Sequence, residues 1–338
     1  MANEMKAILI DRYGPSSVMR LGLIERPQLA RDQILVETHY ASVNPADWKI
    51  RAGLLSRVAG DPFPMTLGMD GAGTVAEVGA DVTDLKVGDR VAALSGVGLG
   101  IGCKGTYAQF FCTPAIRAIA VPGHIGLDAA ATVPIAAASA GSSVLDVAKV
   151  KAGDVVFVNG GSGSVGTFAV QFLKHLGAKV AATCSAANVG RLRALGVDHV
   201  IDYAQNDVIS AARDWASQGY DSIIDAVGQK SLPADTPDIV KPGGTLVCIQ
   251  NLLTDVEAFD LAAAARRNVR VVDNVMSVHN VGTPFFQVEG FRQIASAVFR
   301  GDIKVPPYKI VPLSEAATAH DEVEAGHFRQ KILLEIPR

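Results

Sequence analysis

One segment constrains the fold more than any other: VVFVNGGSGSVGTFAVQFLKHLGAKVAAT, residues 155–183. An apolar run, VVFVN, ends in a glycine-rich turn. A stretch of helical spacing follows, and then a second apolar run, KVAAT. Strand, tight turn, helix and next strand in this order are the opening of a doubly wound parallel sheet. Each glycine has a backbone task in that setting. Gly160 permits the tight turn, Gly163 lets a pyrophosphate approach the main chain, and Gly166 lets the helix pack against the strand. The helix start then offers free N–H groups and the positive end of a dipole to an anion. Glycine-rich turns occur in other α/β folds, so the flanking strands and helix carry the reading. The expected dinucleotide contacts in the turn are Gly160, Ser162, Gly163, Ser164, Val165 and Gly166.

The rest of the chain has two textures. Residues 1–125 are short β-like runs such as KAILI, QILVETHYASV, GAGTVAEVG and RVAAL, broken by Gly, Pro and Asp. They read as a β-rich domain. Residues 126–296 alternate strand and helix, with strands at 155–159, 179–183, 199–201, 221–225, 245–249 and 269–273. TFAVQFLKHLG and VGRLRALG are the helices between, each ending at a Gly in the C′ place. The tail, 297–338, returns to strand–helix–strand and is expected to rejoin the first domain. At 338 residues, two domains are the natural expectation.

Which dinucleotide binds depends on the end of the second strand. NAD sites place Asp or Glu there for the ribose 2′-OH. No acidic residue lies between Val155 and Val197. Instead Ser185 ends the strand, followed by Asn188, Arg191 and Arg193. A hydroxyl with a nearby guanidinium suits a 2′-phosphate. NADPH is therefore the expected coenzyme, although Arg191 and Arg193 taken singly also read as a solvated helix face.

SVNPADWKIRAG (42–53), PMTLGMDGAGTVAEVGADVTDLKVGDRV (64–91), GTYAQF (105–110), AATVPIAAASAG (130–141) and the glycine turn occur together and in order. With them the chain resembles the medium-chain dehydrogenase/reductase superfamily over nearly its whole length. The resemblance implies an α/β protein: a GroES-like β-barrel domain (1–125 and 297–338) plus a Rossmann doubly wound parallel-sheet domain (126–296). The coenzyme would lie in the cleft between them. Zinc-dependent members supply Cys, His and Cys to a catalytic metal. Asn44, Met69 and Ile135 stand at the matching positions, and an amide, a thioether and an alkyl group do not make a Zn²⁺ site. The closest likeness is to the zinc-free quinone and enone reductase branch. There, hydride goes from NADPH to a carbon that is already electrophilic.

Several residues take roles from this resemblance. Asn44, in the first metal-ligand place, either polarises a substrate carbonyl or caps the Asn-Pro turn. Asp47 is either an acid–base group or the partner of Arg51 in an ion pair, and Asp70 is expected to hold a buried donor. Tyr40 is a candidate proton donor unless strand alternation turns it outward. Ser139, Tyr203 and Lys331 match coenzyme-side positions, with Gln330 replacing the glycine that usually precedes the lysine. Enoyl-thioester reductases of the superfamily carry a Tyr in the stretch that reads RAGLLSRVAGDPFP here, which has none. An enoyl-thioester reductase and a non-catalytic NADPH-binding redox sensor remain the rival readings. Segments 50–64 and 251–290 are the expected substrate loops.

Composition excludes further classes. Net charge is −3, with no basic run, so neither nucleic acid nor an anionic membrane is an expected partner. Cys103, Cys112, Cys184 and Cys248 include no CxxC, and MANEMKAILIDRYG lacks the basic-then-apolar form of a signal peptide. A reduced, cytoplasmic enzyme is expected, and the resemblance raises a homodimer through the sheet edge near 269–275. No two of the seven histidines make an HxH or HxxxH pair, so they read as structural or solvated.

Overall fold

The computed structural model describes residues 4–54, 56, 63–95, 105–228, 231–249, 259–273, 289–326 and 330–338. Of the two expected substrate loops, residues 55, 57–62, 251–258 and 274–288 fall outside these, as do Cys103, His279 and His327.

The chain opens with β1 (Glu4–Ile10), β2 (Arg20–Glu25) and β3 (Gln33–Val43), then helix α1 (Pro45–Arg51). β4 (Met65–Thr66), β5 (Asp70–Val78), β6 (Arg90–Leu94), β7 (Phe110–Pro114), β8 (Ala118–Ala120) and α2 (Leu127–Ala131) follow. Helix α3 (Pro134–Gly141) leads into the alternating part. This is β9 (Val155–Asn159), α4 (Ser164–His175), β10 (Lys179–Cys184), α5 (Val189–Ala194), β11 (His199–Asp202), α6 (Val208–Trp215) and β12 (Tyr220–Asp225). Then come β13 (Val240–Cys248), α7 (Leu261–Arg266), β14 (Arg270–Asp273) and α8 (Glu289–Arg300). The chain ends with β15 (Tyr308–Pro312), α9 (Ala316–Glu324) and β16 (Lys331–Glu335).

Two compact units result. One ends at Ile135 and resumes at Pro306; the other begins at Ala136 and closes at Val305. Both junctions lie about ten residues later than texture placed them, at 125 and 297. Helix α2 is the reason for the first shift. It looks like the start of the α/β part, yet it packs on β3, β5 and β6 of the first unit. The Ser42 hydroxyl ties it there by donating to the Ala131 carbonyl at 2.5 Å. Helix α8 accounts for the second, because it packs on the helical turn Ser142–Val147 of the second unit.

In the second unit a six-stranded sheet has the order β11-β10-β9-β12-β13-β14, parallel throughout. That is the order of a Rossmann sheet, with the crossover reversing beside β9. The strands read as continuous apolar runs because helices cover both faces. Phe157, Ile223 and Leu246 are solvent-inaccessible at its centre. In the first unit a seven-stranded sheet runs β15-β16-β3-β5-β6-β8, with β7 also on β3, beside a small sheet β2-β1-β4. Strand β16 pairs antiparallel with β3, Ile332 opposite Val43, so the tail does rejoin the amino-terminal unit.

Phe157 sits on the central strand with no exposed surface. Phe157→Ala should cost about 3–5 kcal/mol in the unfolding step of this unit. Denaturant titration checks it, and a loss below about 1 kcal/mol would mean the site collapses around the cavity.

Candidate active site

The turn between β9 and α4 is shaped by its glycines and pinned by polar strand ends. Gly160 has φ of +82°, which side chains rarely adopt. A Cβ on Gly166 would lie 2.1 Å from the Gly160 carbonyl oxygen, so only glycine lets helix and turn meet there. Gly163 is the N-cap of α4 and brings no capping side chain. The first N–H groups of the helix, at Ser164 and Val165, are thus left for a bound anion. A row of buried polar groups beneath the turn went unread in the sequence. The Thr183 hydroxyl accepts from Gly160 N at 2.8 Å and donates to Asn159 Oδ1 at 2.7 Å. Asn159 Nδ2 donates to Asp225 Oδ1 at 2.9 Å. These three residues sit at the carboxyl ends of adjacent strands. The legible signal was a polar residue closing each of three apolar runs.

Ser185, Asn188 and Arg191 come together beside this turn. Asn188 Nδ2 donates to Ser185 Oγ at 3.1 Å, and Arg191 Nη2 donates to Asn188 Oδ1 at 3.3 Å. Arg191 also donates to the Ser162 carbonyl and, at 3.3 Å, to Thr167 Oγ1. It therefore braces the turn as well as charging its rim. Arg193 on the same helix is exposed and makes none of these contacts. Tyr203 is 47% exposed, its N–H on the Cys184 carbonyl at the end of β10. Ser139 is buried in α3.

A second polar cluster lies inside the first unit. Asn44 is the N-cap of α1, Pro45 its first residue, and the Asp47 carboxylate reaches back to accept from Asn44 N at 2.8 Å. The Asn44 amide is fully engaged. Its Nδ2 donates to Asp70 Oδ1 at 2.7 Å and, more weakly, to Asp47 Oδ2 at 3.3 Å. Its Oδ1 accepts from Lys331 Nζ at 2.8 Å. Asp70 Oδ2 accepts from Ile135 N at 3.0 Å. All four side chains are buried.

Two carboxylates and one ammonium in a dry pocket carry one negative charge too many. Burial pushes Asp47 up to about 7, Asp70's charge adding to the effect and the Asn44 hydrogen bonds and Lys331 opposing it. Burial raises Asp70 as well, but there Lys331 is the strongest opposing influence, so Asp70 is the better partner for the ammonium. Burial lowers Lys331, against the pull of Asp70 and Asp47. Of the two carboxylates, Asp47 is the one without the ammonium as its main counter-charge, so it is the one that burial favours in its protonated form.

This geometry corrects several expectations. The Lys331 ammonium, expected on the coenzyme side, sits on Asn44 Oδ1. Of the two alternatives for Asn44, the geometry displays the local one, the cap of α1. Asp47 and Arg51 do not pair, because the Arg51 guanidinium turns to Glu324 on α9. Tyr40 is not in the cluster. It lines a hollow with His39, Glu335 and Arg338, where the register of β3 on β5 shifts between Thr38 and Tyr40.

Comparison with known proteins matches both halves. Residues 30–123 match the alcohol dehydrogenase GroES-like domain and residues 195–334 the zinc-binding dehydrogenase family. The human NAD(P)H oxidoreductase RTN4IP1, mitochondrial, is 30% identical over 98% of this chain and 89% of its own. The chloroplastic NADPH-dependent alkenal/one oxidoreductase of Arabidopsis thaliana is 32% identical over 74% of this chain and 64% of its own. The solved quinone oxidoreductase from Coxiella burnetii superposes with a TM-score of 0.85 and 30% identity, covering 99% of this chain and 100% of that one. The chain belongs to the medium-chain dehydrogenase/reductase superfamily, in its quinone oxidoreductase branch. It is an oxidoreductase that uses a nicotinamide coenzyme.

The raised acid at Asp47 has a measurable consequence. The native state holds a proton there from roughly pH 4 to about 7, where an unfolded Asp has lost it. The native state then binds more protons than the unfolded one, so Asp47 lowers stability as pH rises through that window. Asp47→Asn should flatten the fall in Tm between pH 5 and pH 8. Parallel Tm curves for the two proteins would show that Asp47 is ionised throughout.

Proposed function

We propose that this protein is a zinc-independent, NADPH-dependent reductase of quinones or α,β-unsaturated carbonyls. The observation that carries it is the ammonium of Lys331 on Asn44 Oδ1. The amide oxygen is the one hard donor among Asn44, Met69 and Ile135, and a cation already occupies it. Met69 offers a thioether and Ile135 only an alkyl group. This donor set does not fit Zn²⁺. Without a Lewis acid to make an alkoxide, the reaction class best served is hydride addition to a carbon already polarised by conjugation. The named activities of the relatives, quinone and alkenal/one reduction, are of that class.

When bound, the reduced coenzyme supplies a hydride. The helix α4 N-terminus and the Gly160–Gly166 turn hold its pyrophosphate. Arg191, with Ser185 and Asn188, recognises the 2′-phosphate through charge-assisted hydrogen bonds. No carboxylate between Val155 and Val197 opposes that phosphate. The acceptor must also gain a proton, and the Asn44–Asp47–Asp70–Lys331 cluster is the buried store that provides it.

Two measurements test this reading. Purified protein should contain no stoichiometric zinc and should oxidise NADPH with quinones or enones in the presence of a chelator, while ethanol with NADP⁺ should give no turnover. About one zinc per chain, lost together with activity on chelation, would sink the zinc-free reading. For the coenzyme, NADPH should bind more tightly than NADH. Arg191→Ala should narrow that preference by about tenfold to a hundredfold, one charged hydrogen bond being worth roughly 1.5–3 kcal/mol. Some loss of NADH binding should accompany it, because Arg191 also braces Ser162. Ser185→Asp should invert the preference. Equal affinities for the two coenzymes in the unaltered protein would end the NADPH assignment.

A further inference from the structure

The floor of the coenzyme turn has a direction as well as a shape. Thr183, Asn159 and Asp225 close the adjacent strands β10, β9 and β12, and all three side chains are buried. Asn159 stands opposite Asp225 in the register of β9 on β12. Thr183 holds the first two residues of the turn. Its hydroxyl accepts from Gly160 N at 2.8 Å and its carbonyl accepts from Gly161 N at 3.0 Å. A hydroxyl has one proton to give. Here that proton goes to Asn159 Oδ1 at 2.7 Å, so the oxygen meets the Gly160 N–H with a lone pair.

What fixes that direction lies one strand further on. Asn159 donates from Nδ2 to Asp225 Oδ1 and to Ser231 Oγ, both at 2.9 Å. An amide is nearly symmetric in shape, and a half-turn about its last bond exchanges oxygen and nitrogen. Asp225 decides between the two orientations. Its Oδ1 also accepts from Val227 N and Gly228 N, each at 3.1 Å. A carboxylate oxygen accepts and has no proton to give. The flipped amide would set Asn159 Oδ1 against it, oxygen to oxygen, where no water relieves the contact. Asp225 thus selects the amide orientation, the amide directs the Thr183 hydroxyl, and the hydroxyl takes the Gly160 N–H. The same carboxylate oxygen shapes a second turn. Its bonds to Val227 and Gly228 fold the chain after β12, where Gly228 has φ of +67°. Val227 then lies against the first turn, since a Cβ on Gly160 would be 2.6 Å from Val227 Cγ2. Ala226 N adds a bond to the Asn159 carbonyl at 3.1 Å. Asp225 is the common anchor of both turns, at the carboxyl edge of the sheet where this fold takes its dinucleotide.

We infer that Asp225 is a positioning residue for the coenzyme: its carboxylate sets the affinity of the glycine turn for a dinucleotide by directing Asn159 and, through it, the Thr183 hydroxyl. Neither the choice between NADPH and NADH nor the nature of the acceptor bears on this role. A neutral amide at 225 would still offer an oxygen to the same donors. Shared by three N–H groups and without charge, that oxygen would hold Asn159 more loosely, because hydrogen bonds to an ionised acceptor are about twice as strong as neutral ones.

The test is coenzyme binding to the full chain, titrated by nicotinamide fluorescence with NADPH and with NADH, beside the Tm of the coenzyme-free protein. Thr183→Val keeps the shape of the side chain and removes the hydroxyl, whereas Thr183→Ser keeps the hydroxyl. The first should raise Kd for both coenzymes by about twofold to thirtyfold, and the second should stay near wild type. Asp225→Ala should raise Kd within the same range. Asp225→Asn, which keeps an acceptor oxygen but not its charge, should fall between Asp225→Ala and wild type. In a chain that already carries Thr183→Val, Asp225→Asn should change Kd no further, because the hydroxyl it acts through is gone. Wild-type Kd in both Asp225 variants would overturn the role. So would the full effect of Asp225→Asn persisting beside Thr183→Val. Losses of affinity that follow losses of coenzyme-free Tm in all four variants mark a merely structural role and overturn it too. Should Asp225→Ala not fold, Asp225→Asn and the Thr183 pair decide by the same criteria.

Discussion

The first unit is organised around one buried positive charge. Lys331 stands at the start of the last strand, 287 residues from Asn44, with its ammonium on the Asn44 amide. An ammonium without water is costly unless it is paired. Asp70 on β5 and Asp47 on α1 provide the opposing charge, and the Asn44 amide bridges them. The pairing of β16 with β3, Ile332 opposite Val43, is what brings Lys331 to this place. Removal of Lys331 would leave two carboxylates buried without a cation, so strand pairing and electrostatics reinforce each other.

In this cluster a lysine supplies positive charge from within the fold, and two carboxylates share the balance of protons against it. Asp47, raised to about 7, is the adjustable member. That places a group able to gain or lose a proton near neutral pH next to a fixed cation, an arrangement suited to a reaction that consumes one proton per hydride.

The coenzyme turn of the second unit works by different physics. It binds through backbone N–H groups and a helix dipole, so its requirements are steric: a positive φ at Gly160 and no Cβ at Gly166. Its rigidity comes from the strand ends below. Thr183, Asn159 and Asp225 hold the turn by a chain of short hydrogen bonds inside a water-free sheet, where each bond gains strength. Arg191 donates to the Ser162 carbonyl, and this ties the helix that follows β10 to the shape of the turn.

Local pattern and composition were enough for much of this. Continuous apolar runs, a glycine turn and helical spacing determined the parallel sheet, its six strands and the turn residues, because those signals are set by neighbours in sequence. The absence of acid between Val155 and Val197 likewise located Ser185, Asn188 and Arg191 as one rim. Long-range pairing decided the rest. Nothing near Lys331 in sequence announces that its charge meets Asn44 and not the coenzyme, since that depends on the register of β16 on β3. Arg51 lies one helical turn from Asp47, yet packing of α9 against α1 gives it Glu324 instead. Tyr40 lies away from the cluster on a strand whose bulge between Thr38 and Tyr40 a sequence does not display. Tyr107 and His320 are 213 positions apart, and only the folded unit makes them neighbours. Local chemistry thus determined which atoms can bind a dinucleotide, while tertiary packing, by removing water from distant charges and joining them, decided where the protons are held.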